Sequence, residues 1–215
     1  MTLQEIRNLA NQGEGLRIEF KKKANHPDKI VKELIALANT VGGILLLGVD
    51  DDGTLSGHKY IHDEVFVLEK AIQELIFPPL PYEKFTFALN EKKGLAAFQV
   101  PKSEFRPHYL KEGESRKAYI RVKDRSIQAS RQVWEILKKE KNPKNIVFTY
   151  GPKEEILLKK LEEKGKITLP EFAKEARIPK FLASRTLVKL VLANVLKIHP
   201  QETEDYFTLK DMQEV

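Results

Sequence analysis

The 215-residue chain contains no cysteine. Disulfides, thiolate nucleophiles and zinc ribbons are excluded together, and the composition suits a reducing cytoplasm. Long hydrophobic runs are lacking too, the longest falling well short of the ~18 apolar residues that a membrane helix needs. The N-terminus, MTLQEIRNLA, shows no basic-then-apolar signal pattern. The expectation is a cytoplasmic protein with no membrane partner. Familiar site motifs are also missing. No G-x-x-x-x-G-K-[ST] supplies a phosphate cradle, no G-x-G-x-x-G follows a strand, and the five histidines show no H-E-x-x-H spacing. The acidic run Asp50-Asp51-Asp52 lacks the alternating ligands and distal glutamate of an EF-hand loop. No internal repeat or low-complexity tract occurs.

What is present describes a globular chain of ordinary composition, 41% hydrophobic and 32% charged. Its length suits two domains, one of them small. A net charge of +6 and a pI near 9.2 point to anionic partners, nucleic acid first among them, although surplus lysine also serves solubility.

Periodicity organises the first part. Thr2 and Glu5 have capping-box spacing ahead of a short helix that Gly13 ends. LRIEFKK alternates as a half-buried strand. Pro27 and Asp28 open a helix whose apolar stripe is Ile30, Leu34, Leu37, Ala38 and Val41, stopped by Gly42-Gly43. Ile44 to Val49 is apolar except for Gly48, as expected of a central strand covered on both faces. Asp52-Gly53 is a hairpin signal. A helix over 63–76, strands over 82–89 and 94–100, a strand over 118–123 and a helix over 126–140 follow. The fold class expected is α+β, a mixed sheet flanked by helices, over residues 1–142.

A polar linker is expected at 143–150, then a small domain over 151–215. There, helices over 153–164, 168–177 and up to Ala193 precede two short strands around the acidic loop QETED. Helix, helix, helix, hairpin is the order of a winged helix-turn-helix.

Three constellations carry chemistry. Glu14, Glu19 and Asp50 to Asp52 gather at one sheet edge if their strands are neighbours, which suits a divalent cation such as Mg²⁺ or Mn²⁺ and phosphodiester hydrolysis. The alternative, which spacing alone favours, reads Glu19 as an ion-pair partner on a solvated face and Asp-Asp-Asp-Gly as turn chemistry. Between Lys102 and Arg125, eight Lys/Arg, including Arg116 and Arg121, face four Asp/Glu, with Tyr109 and Tyr119 interleaved. That pattern suits a nucleic-acid strand, with bases stacked and phosphates paired, or an ordinary solvated hairpin edge. Lys180, Ser184, Arg185 and Lys189 share the polar face of the third helix of the second domain, where a recognition helix meets duplex DNA. Against this, residues 151–215 hold twelve Lys/Arg and eleven Asp/Glu, and QETED would repel phosphate.

GEGLRIEFKKK, IALANTVGGILLLGVDDDGTLSG and PHYLKEGESRKAYIRVKDRSIQAS together resemble the Schlafen-type AlbA-like domain, also labelled a divergent AAA or ATP-binding domain. The resemblance covers about residues 1 to 140. It implies an RNA-cleaving site, two glutamates and an aspartate in the animal members, which falls on Glu14, Glu19 and Asp51. Arg121 matches the arginine of the family's aromatic-Ile-Arg strand, although Lys123-Asp124-Arg125 replaces the usual glycine and small polar residues. The animal enzymes use a doubled domain, which a single copy would reproduce only as a homodimer. Microbial members often carry a winged helix and are described as transcriptional regulators. The expectation is therefore a DNA-binding transcriptional regulator, with duplex DNA on the winged helix and RNA or DNA on the first domain. Its rivals are a metal-dependent ribonuclease and an ATP-binding switch, the latter implied by the family label alone.

Overall fold

The computed structural model describes residues 1–140 and 149–210. It divides into two compact units, Met1–Gln128 and Ala129–Val215. The division falls ahead of the helix that periodicity placed in the first domain. Of the expected linker, 143–148 lies outside the described residues.

In the first unit, α1 (Leu3–Gln12) starts at the Thr2/Glu5 capping box and ends at Gly13. Strand β1 (Ile18–Lys21) is joined through α2 (Pro27–Asn39) to β2 (Gly42–Leu47), which lies parallel to it with Ile18 opposite Ile44. α3 (Ile61–Leu75) runs into the short β3 (Ile76–Phe77). β4 (Glu83–Ala88) and β5 (Gly94–Pro101) form the expected antiparallel hairpin, giving a mixed sheet in the order β1-β2-β5-β4. A second sheet, β3-β6-β7-β8, is built from β6 (Tyr109–Glu112), β7 (Ser115–Val122) and β8 (Arg125–Gln128).

The uninterrupted apolar run of β2 has a direct cause. Leu45 and Leu47 enter one core cluster with α2, α3 and residues of both sheets, while Leu46 enters another with Ile6 and Ala10 of α1. Both faces of the strand are covered, as expected of such a run. Two expectations are corrected. Residues 126–128 are strand, because Ile127 pairs with Ile120, and the helix α4 (Arg131–Lys139) starts only at its Ser130 N-cap. Asp52-Gly53 makes a turn but no strand hairpin. Gly53 N–H closes onto Asp50 O at 2.9 Å, and the chain returns to bond Gly57 N–H to Gly48 O at 2.8 Å without forming a paired strand of its own.

In the second unit, α4 precedes α5 (Pro152–Lys164), β9 (Ile167–Thr168), α6 (Leu169–Glu175), α7 (Lys180–Leu192), β10 (Leu196–His199) and β11 (Tyr206–Leu209). The sheet order is β10-β11-β9, so a third strand joins the expected pair. Its core takes Leu157 and Leu161, Phe172, Ala183, Leu187 and Leu190, and Phe207. No described helix is long and apolar enough to cross a membrane.

Candidate nucleic-acid interface

The carboxylates of the first unit meet a cation from the protein itself. Arg121 on β7 is buried and its Nη1 donates to Glu19 Oε2 and Glu33 Oε2, both at 2.8 Å. Its Nη2 donates to Gly15 O at 2.5 Å. The backbone there is fixed by α2: Arg121 N–H donates to Thr40 Oγ1 at 2.9 Å, and the Asn39 amide donates to His108 O and Tyr119 O while accepting from His108 N–H. Asn39 thus substitutes for a missing strand neighbour, satisfying three buried backbone groups. The expectation that Arg121 contacts nucleic acid is therefore corrected, because its guanidinium is enclosed and its charge is balanced by two carboxylates.

The same contacts decide the metal reading. Glu19 is buried, with Arg121 on one oxygen and Lys21 on the other. Glu14 Oε1 accepts from Phe20 N–H at 2.8 Å. Desolvation pushes the Glu14 carboxyl above its ordinary value against that hydrogen bond, and the charges of Glu19 and Asp51 push it further. Glu14 feels the charges of the other two expected acids, yet among the described residues no three His, Cys, Asp or Glu side chains are grouped to hold a metal ion. A cation at Glu19 would have to displace Arg121 from a buried ion pair. The residues present do not fit Mg²⁺ or Mn²⁺.

The triple aspartate is a turn with its own partners. Asp50 accepts from Ser56 Oγ at 2.6 Å and pairs with Lys22 at 2.9 Å; these contacts, the hydroxyl first, hold its carboxyl below the usual range. Asp52 accepts from Thr54 N–H at 2.8 Å, which likewise lowers it. Asp51 is exposed and makes no hydrogen bond or ion pair with a described residue. Gly53 follows at a φ of 83°, and a Cβ there would stand 2.6 Å from Ala10 O, so the turn seats directly on the end of α1. Gly43 has a similar role: a Cβ would meet Arg17 O at 2.3 Å. These glycines serve close backbone packing, and neither makes the phosphate cradle that ATP would need.

The basic segment of the first unit is only partly available. Tyr119 is buried, with Lys32 rather than a ligand over its ring at 5.7 Å. Arg116 is exposed, and its guanidinium lies 5.3 Å from the Tyr109 ring, which itself stacks on Phe77.

The second unit holds the stronger candidate. Asp205, from the acidic loop, is buried and accepts from Ser130 Oγ, which in turn caps α4 by accepting from Val133 N–H at 3.1 Å. Part of that acidity is therefore structural. α4 so placed packs against α7, with Gln132 Nε2 donating to Ser184 Oγ at 2.8 Å. Between the two helices lies a groove of about 700 Å³. Five cations line it, Arg131, Lys139, Lys180, Arg185 and Lys189, against one carboxylate, Glu135. Lys139 holds Glu135 at 2.8 Å and keeps its carboxyl below the usual range. Arg131, Lys180, Arg185 and Lys189 are exposed and make no ion pair with a described residue. Lys180, Arg185 and Lys189 were expected as a set. Arg131, Gln132 and Lys139 were missed because their helix was assigned to the first domain; the Ser130 cap, with Val133 three residues on, was the available signal.

The first unit is thus an α+β domain built around one arginine-centred cluster. The chain belongs to the Schlafen AlbA_2 family, whose model matches residues 14–130. Among solved structures it is similar to the DIP2311 protein from Corynebacterium diphtheriae, with 19% identity and a TM-score of 0.44 over 64% of this chain. The match spans only 27% of that protein's length. It is also similar to the N-terminal domain of a RecG-related protein from Nitrosomonas europaea, with 24% identity and a TM-score of 0.43 over 54% of this chain and 86% of that one. No curated protein matches the chain.

Proposed function

We propose that this is a nucleic-acid-binding protein whose contact surface is the groove between α4 and α7. The observation that carries the reading is the set of four exposed groove cations, Arg131, Lys180, Arg185 and Lys189, that make no ion pair with a described residue, in a unit whose charges otherwise nearly cancel. Clustering of unpaired Lys and Arg on one face is the electrostatic footprint of phosphate recognition. The order α5-β9-α6-α7-β10-β11 with a three-stranded sheet supports a winged-helix reading of the same unit. The resemblance to Schlafen-type domains supports a nucleic-acid context for the first unit. A role in transcription requires sequence-selective binding to promoter DNA.

Fluorescence anisotropy on the full chain with a labelled oligonucleotide of mixed sequence tests the reading. Binding is expected to weaken steeply with salt, and the charge reversal Arg185→Glu is expected to abolish most of it. Salt-insensitive binding, or equal binding by Arg185→Glu, removes the groove from the proposal.

A further inference from the structure

We infer that the α4–α7 groove takes a single nucleic-acid strand rather than a duplex; this rests on the proposed function and narrows its substrate class. A recognition helix enters the major groove alone, because that groove is about 12 Å wide and a helix with side chains is about 10–12 Å across. α7 is not alone on this face. α4 lies against it, and two packed helices, their axes ~8–10 Å apart, span about 20 Å together. The middle of the α7 face that carries Lys180, Arg185 and Lys189 is also occupied. Ser184 is bonded to Gln132 of α4 at 2.8 Å, and Val188 is only 4% exposed. Side chains committed to a neighbouring helix do not read base edges.

Phe181 points to what the groove accepts instead. It is 64% exposed, lines the groove, and is flanked in sequence by Lys180 on a helix that also presents Arg185. Duplex DNA hides the faces of its bases in the stack, whereas a single strand offers them to an aromatic ring while its phosphates pair with cations. Leu169, Val188 and Leu192 line the same groove as Phe181 and add apolar surface, and the five cations line it with them. The acidic loop adds an argument against the duplex. Glu202 and Glu204 are exposed where a wing would approach duplex phosphate.

The test uses full-length protein and labelled DNA and RNA strands of about 12 nucleotides, within the range of single-strand site sizes, each alone and annealed to its complement. Either strand is expected to bind more tightly than its own duplex. Phe181→Ala should weaken single-strand binding by roughly tenfold or more, Phe181→Trp should retain it, and neither should change duplex binding or the melting temperature. A duplex bound as tightly as its strands, or a Phe181→Ala variant that binds strands like the wild type, overturns the inference while leaving nucleic-acid binding in place. Binding to neither form overturns the proposed function itself.

Discussion

Arg121 and Arg185 look alike in the sequence, each a cation among alternating or helical apolar residues, yet the two units use them in opposite ways. Arg121 is enclosed, holds Glu19 and Glu33, and receives further oxygens from the backbone. Arg185 stands exposed on a groove rim without an ion-pair partner among the described residues. A buried charge pair is maintained because its alternative, one unpaired charge, is costly. An exposed unpaired cation cluster gains most by meeting an outside anion. The comparison shows that a basic residue is informative about ligands only once its carboxylates have been counted in three dimensions.

The largest effect that separates the two is on stability. Arg121→Ala leaves Glu19 and Glu33 without their common cation and is expected to cost about 3–5 kcal/mol in urea unfolding, as when one partner of a buried pair is removed. Arg185→Ala, at an exposed site, is expected to stay within about 0.5 kcal/mol of the wild type. A loss below about 1 kcal/mol for Arg121→Ala would make that cluster behave as a surface pair and erase the contrast.

Asn39→Ala comes next. It leaves the His108 N–H and the His108 and Tyr119 carbonyls short of partners, at an expected cost of about 1–3 kcal/mol by chemical denaturation. Asn39→Asp keeps only the acceptor and is expected to do no better.

A smaller effect depends on pH. The native Glu14 carboxyl binds its proton more tightly than the unfolded one, whose ordinary value is 4.5. Through the window between that value and the raised native one, the folded state carries more protons, so stability falls as pH rises. Glu14→Gln, which keeps an acceptor for Phe20 N–H, should therefore be more stable than the wild type at neutral pH, and the two should converge below pH 4.5. Melts across pH check it; parallel profiles would show that Glu14 feels no such environment. The smallest effect is at Asp51. With no described partner to lose, Asp51→Asn is expected to leave the melting temperature unchanged, and a clear drop would restore a structural or ligand role to the middle aspartate.

Much of the scaffold was legible because it follows from local pattern. The Thr2/Glu5 and Thr168/Glu171 capping boxes both form, and the apolar run of β2 is buried on both faces as its composition implied. What stayed hidden depends on contacts across long sequence separations. In the β6–β7 hairpin, Leu110 is buried but Lys111, Ser115 and Arg116 are exposed, so no sustained alternation marked it. The ion cluster needs Glu19, Glu33 and Arg121 brought together from three separate elements. In the groove, the α7 cations were visible as a helix face, but α4 joins them through Ser130 and Asp205, a contact between chain segments that no periodicity records.

The most direct test is the salt dependence of single-strand binding by the full chain and by the Arg185→Ala/Lys189→Ala double variant. If both side chains meet phosphate, the slope of log K against log salt should become shallower by about 1.4, two contacts at ~0.7 each. Parallel lines for the two proteins would contradict the account, because the groove cations would then release no counterions on binding.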